Sequence, residues 1–205
     1  MRAGLLRSAM YLLLTGLAGL TGLAGGTASA ATVNLVHNPS FEKPTVPAGS
    51  FQSFSTGQTF PGWKVVGASG NVAIVSGKFS QAGFNFPAKA GEARLDLTGT
   101  SNSATGVSQT VVTTSGTLYT LSFAVGNVVD PGGIFGTTST VDVVVNGAQI
   151  LAATNSSGVG KTKLTWKTFT VSFTASSTST TIEFINGDPF SDTLNGLDTV
   201  QLTPS

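Results

Sequence analysis

Two carboxylates stand out by position in this chain. Glu42 closes the segment Asn38-Pro39-Ser40-Phe41-Glu42, and Asp198 sits in Gly196-Leu197-Asp198-Thr199-Val200, near the other end. Each lies beside apolar strand residues, so the first and last strands are expected to lie together and to share either a cation or a hydrogen-bond network. Hard cations such as calcium take several oxygens from carboxylates and backbone carbonyls, which makes Glu42 and Asp198 the candidate metal ligands. The same two groups can equally accept backbone N–H bonds at the edge of a sheet.

A second set of polar residues interrupts otherwise apolar runs: Arg94, Asp96, Gln109 and Asn127. Together they offer the donors and acceptors that fix hydroxyl orientation in a sugar site, or else a hydrogen-bond network or a solvent-facing sheet surface. Phe190 lies in the oxygen-rich loop with Asp188, Asp192 and Asn195, whose spacing fits no EF-hand. An aromatic there can stack on the C–H face of a pyranose. Trp63 and Trp166 read as core residues, and the loop aromatics Phe51, Phe54, Phe79, Phe84, Phe86 and Phe135 as the next platforms or as covers over the ends of the fold.

An enzyme lacks parts. His37 is the sole histidine, there is no cysteine, and no His-Glu-x-x-His pattern occurs. Gly67-Ala68-Ser69-Gly70 misses the Gly-x-Ser-x-Gly spacing of serine hydrolases. Gly160-Lys161-Thr162 has Asn155 where a phosphate loop needs glycine. Glu92 and Asp96 are the nearest pair to the two facing carboxylates of a glycosidase, but Arg94 between them favours two ionised groups over one acid. The expectation is a non-catalytic protein.

These residues are carried by short runs with an apolar period of two, separated by Gly, Ser, Asn and Thr, and no helix is expected after residue 30. Tyr119, Leu121, Phe123 and Val125 alternate with Thr120, Ser122 and Ala124, and Phe169, Val171 and Phe173 do the same. Asn146-Gly147 between two such runs predicts a type I′ hairpin. Further strands are expected at 33–36, 63–66, 72–75, 105–112 and 197–202, about ten in all, around one core. Residues 43–61 read as a long irregular stretch. The pattern is that of an all-β antiparallel sandwich or jelly roll.

Residues 1–30 read as a secretory signal peptide: Arg2 and Arg7, an apolar run from Met10 to Leu23, and Ala28-Ser29-Ala30 at the cleavage site. The domain is then 31–205, and the protein is secreted. Losing two arginines takes the formal charge from +1 to −1 with no charged block, which disfavours nucleic acid and anionic membrane as partners. With no cysteine, stability must come from burial, to which 13 phenylalanines contribute.

In order along the chain, the end motifs, Pro61-Gly62-Trp63, Ala93-Arg94-Leu95-Asp96-Leu97, Ser108-Gln109-Thr110, Tyr119-Thr120-Leu121-Ser122-Phe123, Gly126-Asn127, Trp166 and Phe173-Thr174-Ala175 resemble the choice-of-anchor C family and the related plant cell-wall domains of unknown function, family 642. The closing segment departs from that family's usual Gly-Pro-x-Leu-Asp-Asn-Val: Asn195-Gly196 stands at its start, and Thr199 where asparagine is common. The resemblance implies a galactose-binding-like jelly roll, displayed or secreted and tied to cell-wall polysaccharide, without catalysis; the alternative reading of the residues is a structural or adhesive extracellular protein without a sugar site, and behind it a glycan-active hydrolase. The resemblance also implies a structural calcium in the region of Glu42 and Asp198. The chain end at Leu202-Thr203-Pro204-Ser205 suggests no anchoring tail.

Overall fold

The computed structural model describes residues 33–191 and 193–205; the signal peptide read over residues 1–30 lies outside them. The described residues form fourteen strands and no helix. These are β1 (Phe51–Ser55), β2 (Thr59–Phe60), β3 (Trp63–Gly67), β4 (Asn71–Ser76), β5 (Ser80–Gln81), β6 (Phe84–Asn85) and β7 (Ala93–Asp96). There follow β8 (Thr105–Val112), β9 (Leu118–Asn127), β10 (Ser139–Val145), β11 (Ala148–Asn155), β12 (Thr165–Thr174), β13 (Ser179–Asn186) and β14 (Gly196–Pro204). Two six-stranded antiparallel sheets result, in the orders β1-β4-β7-β14-β9-β12 and β11-β10-β13-β8-β3-β2, with β5-β6 as a separate hairpin.

Alternation explains the main core between the sheets. Tyr119, Leu121, Phe123 and Val125 of β9 are buried, as are Val141, Val143 and Val145 of β10. Phe184 of β13 meets Phe123 of the opposite sheet edge to face at 5.1 Å, which ties the two sheets together, and Trp63 of its own sheet at 6.1 Å. Asn146 and Gly147 both have positive φ, 49° and 84°, as the β10–β11 turn requires. Two expectations are corrected. Residues 33–36 are not a strand, because the Asn34 side chain takes over the ladder, bonding the Val200 carbonyl and the Leu202 amide. The irregular stretch 43–61 contains β1 and β2, whose alternation is hidden by serine and threonine.

The two end motifs do meet, through a clasp. Val200 N–H bonds the Pro39 carbonyl and Leu35 N–H that of Leu202, both at 2.9 Å. From one side Glu42 accepts the amides of Glu92 and Ala93. From the other, Asp198 Oδ2 accepts those of Lys89 and Ala90, while Oδ1 takes Thr199 N–H. A Cβ at Gly91 (φ +70°) would lie 2.1 Å from Glu42 Oε1, so glycine is required where the carboxylate passes. A register shift in the β14–β9 ladder between Asp198 and Gln201 marks a bulge that re-aims Asp198 at residues 89–90. Thr199 pays for the bulge with φ +54°, a conformation that a β-branched residue resists.

A single core was expected, but the outer face of the first sheet carries a second apolar cluster: Phe86, Val128, Phe135, Leu164 and Leu194, with Trp166 against it. Trp166 reaches across two strands because Gly126 and Gly196 lie beneath it; a Cβ on either would come 3.0–3.1 Å from the ring. Loops over this face bury β7 on both sides.

Thr199→Asn is expected to raise the melting temperature by about 2–4 °C, from roughly 1 kcal/mol of relieved strain; an unchanged midpoint removes that strain from the account. Burial lifts the Asp198 carboxyl from 3.8 to about 6, against the amides and the Ser40 side chain that pull it down. The folded state therefore holds this proton more tightly than the unfolded chain, so the group's contribution to stability is present below about pH 4 and is lost as pH rises through 6. The gap corresponds to about 3 kcal/mol. Denaturant unfolding in chelator should show this slope in the wild type and not in Asp198→Asn; parallel curves would contradict it.

Candidate functional site

β4 and β7 pair with Ala73 opposite Asp96 and Val75 opposite Arg94, and these four side chains face away from the main core. They floor a pocket of about 420 Å³. Its walls come from β1 (Phe51), the β5–β6 region (Phe79, Gln81, Phe86) and three loops that supply Gly99 and Thr100, Ile134 and Phe135, and Thr193 and Leu194. Phe79, Phe86 and Phe135 form a continuous aromatic wall, with ring centroids 5.7 and 5.2 Å apart along it.

Arg94 is 1% exposed, and its Nε and Nη1 have no hydrogen-bond partner. Its guanidinium carbon lies 5.6 Å from the centre of the Phe86 ring. Asp96 Oδ2 is 3.8 Å from Nη1, which balances charge but is too long for a hydrogen bond. Burial draws the Arg94 pKa down, and the nearby Asp96 and Asp198 charges partly restore it. Asp96 Oδ1 is already engaged by Thr98 N–H and Oγ1 and by Asn195 N–H. The floor thus keeps unused arginine donors beside a carboxylate, both sheltered from bulk water. Such an arrangement can hold hydroxyls or other acceptors of a small ring against the phenyl wall.

Of the residues singled out in the sequence, Arg94 and Asp96 come together here, and Gln109, Asn127 and Phe190 do not line the pocket. Gln109 clamps the backbone of His37, accepting its N–H at 2.7 Å and donating to its carbonyl at 3.0 Å. Asn127 is buried, bonding Ser139 and Gly158. Phe190 is 83% exposed; its carbonyl accepts from Asn102, and its loop goes on to supply Thr193 and Leu194 to the pocket. Glu92 is exposed and outside the lining, so no facing pair forms with Asp96. Asp188 accepts Thr140 N–H, and Asp192 lies outside the described residues. Thr100, Ile134, Thr193 and Leu194 carry no local signal in the sequence. They reach the pocket only because distant loops converge on one sheet face.

Glu42 and Asp198 converge on one backbone segment, with Asp198 fully buried. The all-oxygen donor set suits a hard cation in kind, and a desolvated carboxylate is a group that a cation would discharge. In number it is short: among the described residues no three His, Cys, Asp or Glu gather in one place.

No curated protein matches the chain. Among solved structures, the CBM22-1 xylan-binding domain from Paenibacillus barcinonensis Xyn10C is similar at 18% identity and TM-score 0.45, over 78% of this chain and 97% of that one. A family 35 carbohydrate binding module from Clostridium thermocellum is similar at 15% identity and TM-score 0.45, over 75% and 97%. TmCBM61, solved with β-1,4-galactotriose, is similar at 17% identity and TM-score 0.44, over 84% and 99%. A family model, described as HpiC1 cyclase, matches residues 32–203 and names neither family resembled in the sequence. That match spans nearly all of the described domain, and the chain belongs to the HpiC1-like family.

Proposed function

We propose that this is a secreted, non-catalytic carbohydrate-binding domain that takes cell-wall polysaccharide, or a fragment of it, in the pocket over β4 and β7. One observation carries the reading: a buried arginine with unused N–H groups stands beside a carboxylate at the floor of a phenylalanine-walled pocket. Sugar rings need both kinds of surface, since their C–H faces suit aromatic rings while their hydroxyls need donors and acceptors. A volume near the low end of the roughly 300–1,000 Å³ of ligand sites accommodates one or two sugar residues rather than a long segment. Secretion rests on the signal peptide read in residues 1–30.

Calcium at the clasp belongs to the same proposal. Glu42 and Asp198 would hold it, and the ion would supply positive charge to a desolvated carboxylate. A second reading, catalysis of a ring closure, is favoured by the family to which the chain belongs. Asp96 is the one carboxylate lining the pocket among the described residues, and so the acid or base that such a reaction would use there.

Retention of the purified chain on insoluble polysaccharides, followed by calorimetry with the oligosaccharides released from the one that retains it, tests the binding reading. Arg94→Lys should weaken affinity at least about tenfold while keeping a positive charge beside Asp96, because an ammonium cannot reproduce the planar donor set of the guanidinium. Passage through every glycan, together with conversion of an unsaturated substrate that stops in Asp96→Asn, would replace binding by cyclisation. For the metal, adding calcium at pH 7 should raise the melting temperature of the wild type by several degrees and leave Asp198→Asn unmoved. Equal midpoints with and without calcium would remove the ion.

A further inference from the structure

Asn127 does not line the pocket over β4 and β7, but it builds a second one. Its Oδ1 accepts Gly158 N–H at 2.9 Å and so seats the loop after β11 on the end of β9. A Cβ at Gly158 would lie 2.6–2.7 Å from Asn127 and Val128, which leaves glycine as the residue that allows this approach. Asn155 Oδ1 takes the N–H and the hydroxyl of Ser157 at the start of the same loop, and Lys161 N–H bonds the Gly158 carbonyl. Asp130 folds the loop after β9 in a similar way, with Oδ2 accepting Gly132 N–H and Oδ1 accepting Phe135 N–H. Residues of both loops, together with Phe84 of β6, line a pocket of about 300 Å³.

The lining is apolar apart from a few groups. Phe84, Val129, Pro131 and Val159 supply the hydrophobic surface, and Val159 is 65% exposed on a loop that the bonds above hold in place, so a ligand that covers it gains burial. Two charges border the space. Asp130 is 7% exposed, and each of its oxygens is bonded to an amide of its own loop. Lys161 is exposed, and the one ion pair among the described residues is Arg94 with Asp96, so the Lys161 ammonium has no carboxylate partner. It is therefore the charge that a ligand can reach. A single ammonium suits a single negative charge, and the Asp130 carboxylate beneath disfavours a phosphate or any other multiply charged anion. We infer that this second pocket binds an apolar monocarboxylate, a ring or short branched chain lying on Phe84 and Val159 with its carboxylate on Lys161 and the Thr162 hydroxyl beside it. The inference is independent of the carbohydrate reading, since it uses no residue of the first pocket.

The experiment titrates the full chain with 3-phenylpropionate and with 3-phenylpropan-1-ol, which share the ring and differ in charge. Binding is followed through the methyl resonances of Val159 and of Ile134, which borders the other pocket. The expected result is that the acid moves Val159 and binds at least about threefold more tightly than the alcohol, a margin that high salt reduces. Lys161→Met should abolish that margin, and Lys163→Met, outside the lining, should keep it. Both lysines are exposed, so neither change unfolds the chain. Equal or weaker binding of the acid, a margin that survives Lys161→Met, movement of Ile134 without Val159, or no saturable binding of either probe overturns the inference. Each of these leaves the carbohydrate reading standing, because retention on polysaccharide is measured without either probe.

Discussion

The carboxylates of Glu42 and Asp198, fixed on the backbone amides of residues 89–93, set the position of β7 and so of the pocket floor. β7 is only four residues long and follows directly from that segment, so the point where the clasp holds the chain decides where Arg94 and Asp96 emerge. The clasp also draws the two end motifs together without a disulfide, using charge-assisted hydrogen bonds to backbone N–H groups, which are stronger than neutral ones. Its cost is visible in three residues with positive φ, Asn38, Phe41 and Thr199, all at the ends that form it. Asparagine tolerates that conformation. Phe41 is held in it by burial against Trp63, with ring centroids 5.3 Å apart, and Thr199 by its neighbour's bond to the amides.

Covering β7 on both faces is the second constraint. An antiparallel sheet ordinarily leaves one face in water, but here the loops place a phenylalanine-containing cluster over part of the outer face of the first sheet. The cluster encloses a charged pair that would otherwise be solvated. That exchange is unfavourable for the charges and favourable for the rings, and it leaves a buried arginine at the pocket floor whose Nε and Nη1 have no partner. Binding and stability are therefore opposed at this spot: a core of apolar side chains would be firmer and would recognise nothing.

The sandwich was legible because its signals are local. Alternation in β9, β10 and β12 follows from the pleat, and the β10–β11 turn from the backbone freedom of Asn146 and Gly147. The meeting of the ends was legible from the two motifs, although the first segment bonds through the Asn34 side chain and not as a strand. The floor of the site was half visible, since Arg94 and Asp96 interrupt an apolar run. Gln109 and Asn127 interrupt runs in the same way and prove to hold backbone in place, because polarity within a strand does not say which partner it meets. The walls were not legible: Phe79, Phe86 and Phe135 sit in loops, and only the convergence of those loops in three dimensions makes them one surface.

Trp166, lying over two glycines, has an optical consequence. The other tryptophan, Trp63, belongs to the main core, so the two indoles occupy separate apolar clusters of one molecule. Emission from a variant that retains the first ring alone reports the loosening of the loop-covered face, and emission from one that retains the second reports the melting of the sandwich. The order in which the two signals fade tells whether the covering layer is an independent lid or part of a single cooperative unit.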